Sequence, residues 1–145
     1  MTNAELANYL RDLRDFLIIA GYEESHATRY TQIARTIEKM PESAELMMRE
    51  GRLTEIPQVG KLIAQYIREY MLDGKSSKQI EWENEAPWSV VTMTRVPGLG
   101  AKTARRFFQE VGAKSLHELK AAAEAGKLDQ MAGIGPKMKA SILEF

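Results

Sequence analysis

Val96-Pro97-Gly98-Leu99-Gly100 is one of three copies of a single short pattern in this chain. The other copies, Ile56-Pro57-Gln58-Val59-Gly60 and Met131-Ala132-Gly133-Ile134-Gly135, begin 40 residues before it and 35 residues after it. Each copy runs apolar residue, Pro or Ala, turn residue, apolar residue, Gly. An apolar side chain follows seven positions after each final Gly, at Ile67, Phe107 and Ile142. This spacing predicts three units of helix, tight turn and helix, in which the second helix begins at the Gly and packs one face inward.

The amino end of each of these second helices is a predicted phosphate site. Glycine tolerates positive φ and leaves room for the backbone of another molecule, so Gln58 makes the first turn less permissive. The first backbone N–H groups of a helix lack partners, and the macrodipole adds about half a positive charge there. Basic residues stand one or two positions after the final Gly, at Lys61, Lys102 and Lys137. Such a site positions a nucleic-acid backbone without reading bases, although a single Gly-x-Gly turn is often only structural.

Helical periodicity covers most of the chain, and no segment alternates convincingly like a strand. Thr2 followed by Glu5 has the spacing of a capping box, and Gly21 and Gly74 stand where helices should end. A short helix with Ala44, Leu46 and Met47 on its apolar side should follow Pro41. The other predicted helices cover residues 4–20, 24–39, 61–72, 87–94, 101–111 and 116–125, and a last one starts at residue 136 and is still running at residue 145. The predicted fold class is all-α.

The chain divides into two predicted helical units. Residues 75–86 are polar, which predicts a linker and a boundary near residue 80. The units are residues 1–79, with the first turn, and residues 80–145, with the second and third turns.

Composition excludes several classes of protein. The chain has 145 residues, which leaves no room for a large enzyme, and it contains no Cys and only two His. Disulfide scaffolds, thiolate zinc sites and cysteine nucleophiles are therefore excluded, and an all-His metal site is disfavoured. No apolar run reaches the length of a membrane span, and no signal peptide is visible, so the expected compartment is cytoplasmic, with nucleoid association in a bacterium.

The formal net charge of zero conceals an uneven distribution. Residues 1–50 hold 6 basic and 9 acidic side chains, a net charge of −3, and residues 51–145 hold 14 and 11, a net charge of +3. Residues 89–109 contain no acid and four basic residues, Arg95, Lys102, Arg105 and Arg106, while residues 130–143 contain Lys137 and Lys139 and again no acid. An acid-free basic rim around the second and third turns favours DNA as the partner.

The repeat resembles the helix-hairpin-helix motif, and the whole chain resembles the N-terminal region of family X DNA polymerases, the family of DNA polymerase beta. Residues 30–41, the first turn running on to residues 73–75, and residues 94–100 carry this resemblance, and the third turn is more like the bacterial members. The region comprises a lyase-like domain and a fingers-type helix-hairpin-helix domain.

The resemblance implies non-sequence-specific binding of DNA backbone at gaps, nicks or ends, and other repair proteins as further partners. No cofactor is required, but K⁺ or Na⁺ is expected on the backbone carbonyls of Ile56, Val59, Thr94, Val96 and Leu99. The expected DNA-binding residues are Tyr30, Val59, Gly60, Lys61, Lys78, Gly98, Gly100, Lys102, Thr103, Arg105, Gly133, Gly135, Lys137 and Lys139. The polymerase palm of the family lies after the matched region, so these residues alone cannot transfer a nucleotide.

The family's deoxyribose-phosphate lyase requires an unprotonated lysine that forms a Schiff base with an abasic sugar. By resemblance, Tyr66 occupies the position of that lysine and Leu62 that of an auxiliary lysine. Tyr30 matches an aromatic residue of the 5′-phosphate pocket, and His26 takes the place of a basic side chain there. We therefore expect no efficient lyase and no catalytic residue, with a residual activity through a displaced Lys61 or Lys75 as an alternative.

Two other interpretations remain. The segment 96–102 resembles the turn and lysine of helix-hairpin-helix DNA glycosylases, but residues 101–128 contain no Asp for that chemistry. Alternatively, the hairpins mediate protein contacts, with Phe107, Phe108 and Trp88 as an apolar docking surface.

Overall fold

The computed structural model describes every residue from Met1 to Phe145 and contains helices and turns but no strand, which confirms the all-α fold class. Two 3₁₀ segments, Leu53–Glu55 and Trp88–Arg95, precede the first and second turns. No helix is long and apolar enough to cross a bilayer. The α-helices are α1 (Asn3–Ala20), α2 (Glu24–Lys39), α3 (Ala44–Arg49), α4 (Lys61–Asp73), α5 (Ser77–Trp82), α6 (Ala101–Val111), α7 (Leu116–Glu124) and α8 (Pro136–Glu144).

Helix α1 is the central helix of the fold. The Thr2 hydroxyl caps it by accepting a hydrogen bond from the Glu5 amide at 3.1 Å, and Gly21 ends it in the left-handed conformation with φ 109°. It packs against α2, α6 and the 3₁₀ segment Trp88–Arg95, and most of its apolar residues are buried. The core is one continuous cluster that includes residues from both predicted units. The division near residue 80 stays a prediction.

Residues 75–86 do not form the linker that their polar composition predicted. They contain α5, which the Ser76 hydroxyl caps by accepting a hydrogen bond from the Gln79 amide at 3.2 Å. Ser76 and Gln79 are buried, and the Tyr9 hydroxyl of α1 satisfies both of them. It lies 2.9 Å from the Ser76 hydroxyl and donates to the Gln79 side-chain oxygen at 2.9 Å. Polar residues that satisfy one another inside the protein look like an exposed linker when only composition is considered.

Two smaller expectations also differ from the structure. Residues 87–94 were predicted to be a helix, and the element found there, Trp88–Arg95, is a 3₁₀ helix rather than an α-helix. Leu46 was predicted on the apolar side of α3, but 49% of its surface is exposed, whereas Ala44 and Met47 are buried. Of the three side chains predicted to face inward from this helix, only Ala44 and Met47 are therefore part of the buried core.

The three turns adopt one conformation, which confirms the helix, turn, helix repeat. The middle residue is left-handed in each turn, with φ 71° at Gln58, 83° at Gly98 and 79° at Gly133. The amide of the fourth residue donates to the carbonyl of the first residue, between Val59 and Ile56, Leu99 and Val96, and Ile134 and Met131. The pattern in the sequence therefore specifies the geometry of all three turns.

The first turn should become more stable when its left-handed glutamine is replaced by glycine. Gln58 is the chain's one non-glycine residue at positive φ, a conformation that costs an L-residue about 1–2 kcal/mol. Part of this gain is offset by the flexibility of glycine in the unfolded chain, so Gln58→Gly should raise the free energy of unfolding by about 0.5–1 kcal/mol. Urea denaturation measures this change. Gly98→Ala is the matched control and should lower stability by about 1 kcal/mol, because a Cβ at Gly98 meets no atom within 4 Å and only φ opposes it.

Candidate nucleic-acid interface

The helices that follow the three turns differ from the other helices at their amino ends. Each begins after a glycine in extended conformation, with φ −90° at Gly60, −89° at Gly100 and −93° at Gly135, and none has a side-chain cap. Side-chain hydroxyls cap four of the other helices, at Thr2, Ser43, Ser76 and Ser115. The amino ends of α4, α6 and α8 are therefore the ones left open at a glycine.

The backbone amides at these three amino ends have no hydrogen-bond partner within the protein. The first bonded amide of each helix donates to the glycine carbonyl, from Ala64 to Gly60 at 2.9 Å, Ala104 to Gly100 at 2.9 Å and Lys139 to Gly135 at 3.2 Å. No hydrogen bond begins at the amides that precede them, from the glycine onward, and α8 offers one donor fewer because its first residue, Pro136, has no N–H. These free donors and the helix dipole together favour an anion.

The three capping glycines are not required by the fold. Their φ values suit any residue, and a Cβ built at Gly60, Gly100 or Gly135 meets no atom within 4 Å. Serine would cap these helices better than glycine does. The absence of a side chain instead leaves each amino end bare, as the close approach of another molecule's backbone requires.

The basic residues near these amino ends differ in what they contact. Lys61 and Lys137 are exposed and make no ion pair. The Lys102 side chain is 75% exposed, with its Nζ 2.7 Å from Oε2 of Glu24 at the start of α2. Lys139 Nζ lies 2.7 Å from Oδ1 of Asp129. The hydroxyl of the half-buried Thr103 makes no hydrogen bond, and all these residues stand beside the open amides.

The acid-free rim predicted around the second turn does not exist in three dimensions. Arg95 makes a double hydrogen bond to Asp12 of α1, with both distances 2.8 Å, and this bond raises the pKa of Arg95. Lys102 pairs with Glu24, as described above. Arg106 Nε donates to Oε2 of Glu110 at 2.8 Å. Asp12 of α1 and Glu24 of α2 therefore pair with Arg95 and Lys102, which have no acid near them in the sequence, whereas Glu110, the partner of Arg106, stands four residues after it on α6.

Arg105 connects α6 to the carboxyl end of α1. Its Nη1 donates to the Ile19 carbonyl at 2.7 Å, and the guanidinium lies so close to Gly21 that a Cβ there would be 3.1 Å from Nη1. The arginine thus satisfies one of the unpaired carbonyls at the carboxyl end of a helix. The predicted role of Arg105 in DNA binding competes with this structural contact.

The carbonyls predicted to hold a monovalent cation all keep a lone pair that no hydrogen bond uses. Val96 and Ile56 each accept one backbone hydrogen bond, and no hydrogen bond ends on the carbonyls of Val59, Thr94 or Leu99. Neutral backbone oxygens of this kind suit a hard cation such as K⁺ or Na⁺. The chemistry of these oxygens is compatible with such an ion, and the site stays a prediction.

A cleft of about 400 Å³ lies beside the amino end of α4, and we call it the first-turn cleft. Its lining includes three tyrosines, Tyr22, Tyr30 and Tyr66, three cations, Arg29, Lys61 and Lys78, and the exposed side chain of Leu62. Sequence reasoning placed Tyr30, Lys61, Leu62, Tyr66 and Lys78 near one another, and the structure brings these residues together. It missed Tyr22 and Arg29, for which the sequence carries no signal beyond helical spacing.

The first-turn cleft has a tyrosine, Tyr66, at the position that the resemblance assigns to the Schiff-base lysine. Burial raises the pKa of the Tyr66 and Tyr30 phenols, so both are neutral at physiological pH. Lys78 Nζ lies 4.4 Å above the ring of Tyr22 and 3.7 Å from Oε2 of Glu81. His26 packs against the edge of Tyr22 outside the lining. Lys75 also lies outside this cleft, where it pairs with Glu83 at 3.5 Å, so Lys61 is the alternative nucleophile that lines it.

The second turn and the first-turn cleft are neighbours on the surface. Lys102 reaches Glu24, which lies two residues after Tyr22 at the corner between α1 and α2. Tyr22 in turn lies under Lys78 and forms part of the cleft wall.

The aromatic side chains of the predicted docking surface are packed into the core. Phe107 is fully buried, and Phe108 is half-buried against the core. Trp88 is also half-buried and lies with its ring centroid 5.0 Å from Phe16 and 5.7 Å from Tyr9. These three residues do not form a shared exposed face, so the structure provides no support for the protein-docking alternative.

Comparison with known proteins agrees with a repeat of helical hairpins in this chain. Residues 90–145, which contain the second and third turns, match the model of the SAM-like Helix-hairpin-helix tandem. The chain is also 26% identical over 144 residues to the DNA polymerase/3'-5' exonuclease PolX of Bacillus subtilis (strain 168). This match covers 99% of the chain and about a quarter of the length of that relative. The resemblance to family X polymerases predicted from the sequence is confirmed.

Proposed function

We propose that this relative of PolX binds DNA through backbone phosphates, without sequence specificity, at gaps, nicks or ends. One observation carries the proposal: three helices begin at bare glycines in the same conformation, and their first amides have no partner within the protein. Phosphate oxygens satisfy such amides and are the same for every base sequence. The helix-hairpin-helix tandem over residues 90–145 supports this use of the second and third turns.

The preference for an interrupted strand rests on the first-turn cleft. A terminal phosphate carries more charge than a phosphodiester, and Arg29, Lys61 and Lys78 supply three cations in one cavity. The cleft lies next to the second turn, so a duplex held by the second and third turns can place the 5′ end of a gap in it. An intact duplex has no such end, and its binding relies on the turns alone.

The proposal includes no reaction for this chain. Polymerase and exonuclease activity appear in the name of a relative that is about four times as long, and they are properties of that protein. The buried Tyr66 cannot attack an aldehyde as a neutral lysine does, so deoxyribose-phosphate lyase activity should be absent or confined to slow attack by Lys61.

Fluorescence-anisotropy titrations at several salt concentrations test the proposal. We expect the tightest binding to gapped DNA with a 5′-phosphate, followed by the same DNA without that phosphate, and then by intact duplex. The slope of log K against log salt should be about −3 or steeper, because each phosphate contact on duplex DNA contributes about −0.9. Absence of binding at low salt would overturn the whole proposal, and equal binding to gapped and intact DNA would overturn the preference for gaps.

Lysine substitutions at the two ends of α6 provide a matched control for these titrations. Lys102→Gln removes the cation beside the open amides and should weaken binding to all sequences alike, with a slope shallower by about 0.9. Lys114 is exposed beyond the opposite end of the same helix, roughly 16 Å away by the rise of an α-helix. Lys114→Gln should leave both affinity and slope unchanged.

A further inference from the structure

Arg106 connects α6, which follows the second turn, to the backbone of the third turn. Its Nη1 donates to the Ala132 carbonyl at 2.6 Å, directly before the left-handed Gly133. A Cβ at Gly133 would lie 3.7 Å from the same nitrogen, so the guanidinium rests against the turn itself. No backbone amide donates to the Ala132 carbonyl, and Arg106 is the donor that it has.

Glu110 holds the guanidinium in this position. It stands four residues after Arg106 on α6, and its carboxylate accepts from Nε at 2.8 Å and from Nη2 at 3.3 Å. These hydrogen bonds lower the pKa of the Glu110 carboxyl, which stays ionised at physiological pH. With Nε and Nη2 committed to Glu110, the orientation of Nη1 toward the third turn is set from within α6.

The third turn differs from the other two at the residue that Arg106 contacts. Pro57 and Pro97 occupy this position in the first and second turns, and the third turn has Ala132 instead. Proline restricts φ and so stiffens a turn before any tertiary contact forms. No hydrogen bond ends on the carbonyl of Pro57 or Pro97. The turn without proline is thus the one whose backbone is held by an arginine from a neighbouring element.

We propose that Arg106 is a positioning residue, which holds the backbone of the third turn rigid, as proline does in the other two turns, so that its open amides bind the same duplex as the second turn. The inference rests on the DNA-binding function proposed above. A turn that is already rigid loses less conformational freedom on binding than a mobile one, and the second of two linked contacts is intramolecular. The guanidinium contacts Glu110 and the Ala132 carbonyl, so Arg106 acts on DNA binding through the third turn.

Rescue by proline tests this role. Arg106→Gln should weaken binding to a duplex long enough for both turns about tenfold. Arg106→Gln combined with Ala132→Pro should recover binding to within about threefold of the wild type, since proline stiffens the third turn as it does the other two. Proline is compatible with the site, because the Ala132 amide donates no hydrogen bond.

Lys137→Gln is the matched control for a direct phosphate contact on the third turn. It should weaken binding, and Ala132→Pro should not restore that loss. Rescue of Arg106→Gln but not of Lys137→Gln supports the positioning role, and failure to rescue Arg106→Gln overturns it in favour of a direct contact between arginine and phosphate. Unchanged binding of Arg106→Gln also overturns it. A wild-type protein that binds no DNA defeats the proposed function itself, and thermal melting of each variant separates these outcomes from loss of folding.

Discussion

Gly100→Ser is expected to weaken DNA binding about tenfold without a loss of stability. The hydroxyl of a serine at this position can accept a hydrogen bond from the amides at the start of α6, as Ser115 does at the start of α7. Those amides are then no longer available to a phosphate, and the new Cβ stands where the DNA backbone would approach. An anion at a helix amino end gains up to about 2 kcal/mol in a favourable site, and tenfold corresponds to about 1.4 kcal/mol.

Two measurements on the same variant distinguish a binding role of the glycine from a structural one. Serine is a slightly better amino-terminal cap than glycine, so denaturation should show stability equal to that of the wild type or a few tenths of a kcal/mol higher. Anisotropy titration should show the loss of affinity. A variant that is both stable and fully active in binding would remove the second turn from the interface.

The reverse exchange at α7 is the matched control. Ser115→Gly opens the amino end of a helix that follows no turn of the repeat, and it removes the hydrogen bond from the Glu118 amide to the serine hydroxyl. It should lower stability by a few tenths of a kcal/mol and leave DNA binding unchanged.

Tyr66→Lys is expected to create a Schiff-base nucleophile where the wild type has none. Residue 66 faces the first-turn cleft, which also contains Arg29, Lys61 and Lys78. Burial and these three positive neighbours all disfavour a further ammonium group, so they lower the pKa of a lysine placed there. A neutral amine in a phosphate-binding cleft is the nucleophile that attack on an abasic sugar requires.

Borohydride trapping on DNA with a 5′-deoxyribose phosphate measures this effect. The Tyr66→Lys variant should form a covalent protein–DNA adduct, while the wild type forms none or a trace. Gln65→Lys places the new amine on the adjacent, exposed position of α4 outside the cleft, where it stays solvated and protonated, and it should give no adduct above the wild-type level. If Tyr66→Lys binds DNA and still gives no adduct, the cleft does not receive the sugar at a strand end.

Much of the local structure could be predicted from the sequence. Helices α2 and α6 have the predicted bounds, Thr2 and Gly21 cap α1 as expected, and the pentapeptide repeat forms three equal turns. These features depend on residues within a few positions of one another: apolar spacing along a helix, a hydroxyl three residues before an amide, and a residue that accepts positive φ. The first-turn cleft was only partly predictable, because Tyr22, at the corner between α1 and α2, and Arg29, on α2, are far in the sequence from the α4 residues that line it with them.

The sequence by itself determined most of the helices, the three turns and the open amides at Gly60, Gly100 and Gly135, because short-range sterics and hydrogen bonding set all of these, but it missed α5. The tertiary structure decided which basic residues remain available around those amides. Asp12 lies 83 residues from Arg95, and the Ile19 carbonyl lies 86 residues from Arg105. Such partners meet only after α1 packs against α6 and the 3₁₀ segment Trp88–Arg95, and no local pattern of charge can show in advance which basic side chains that packing engages.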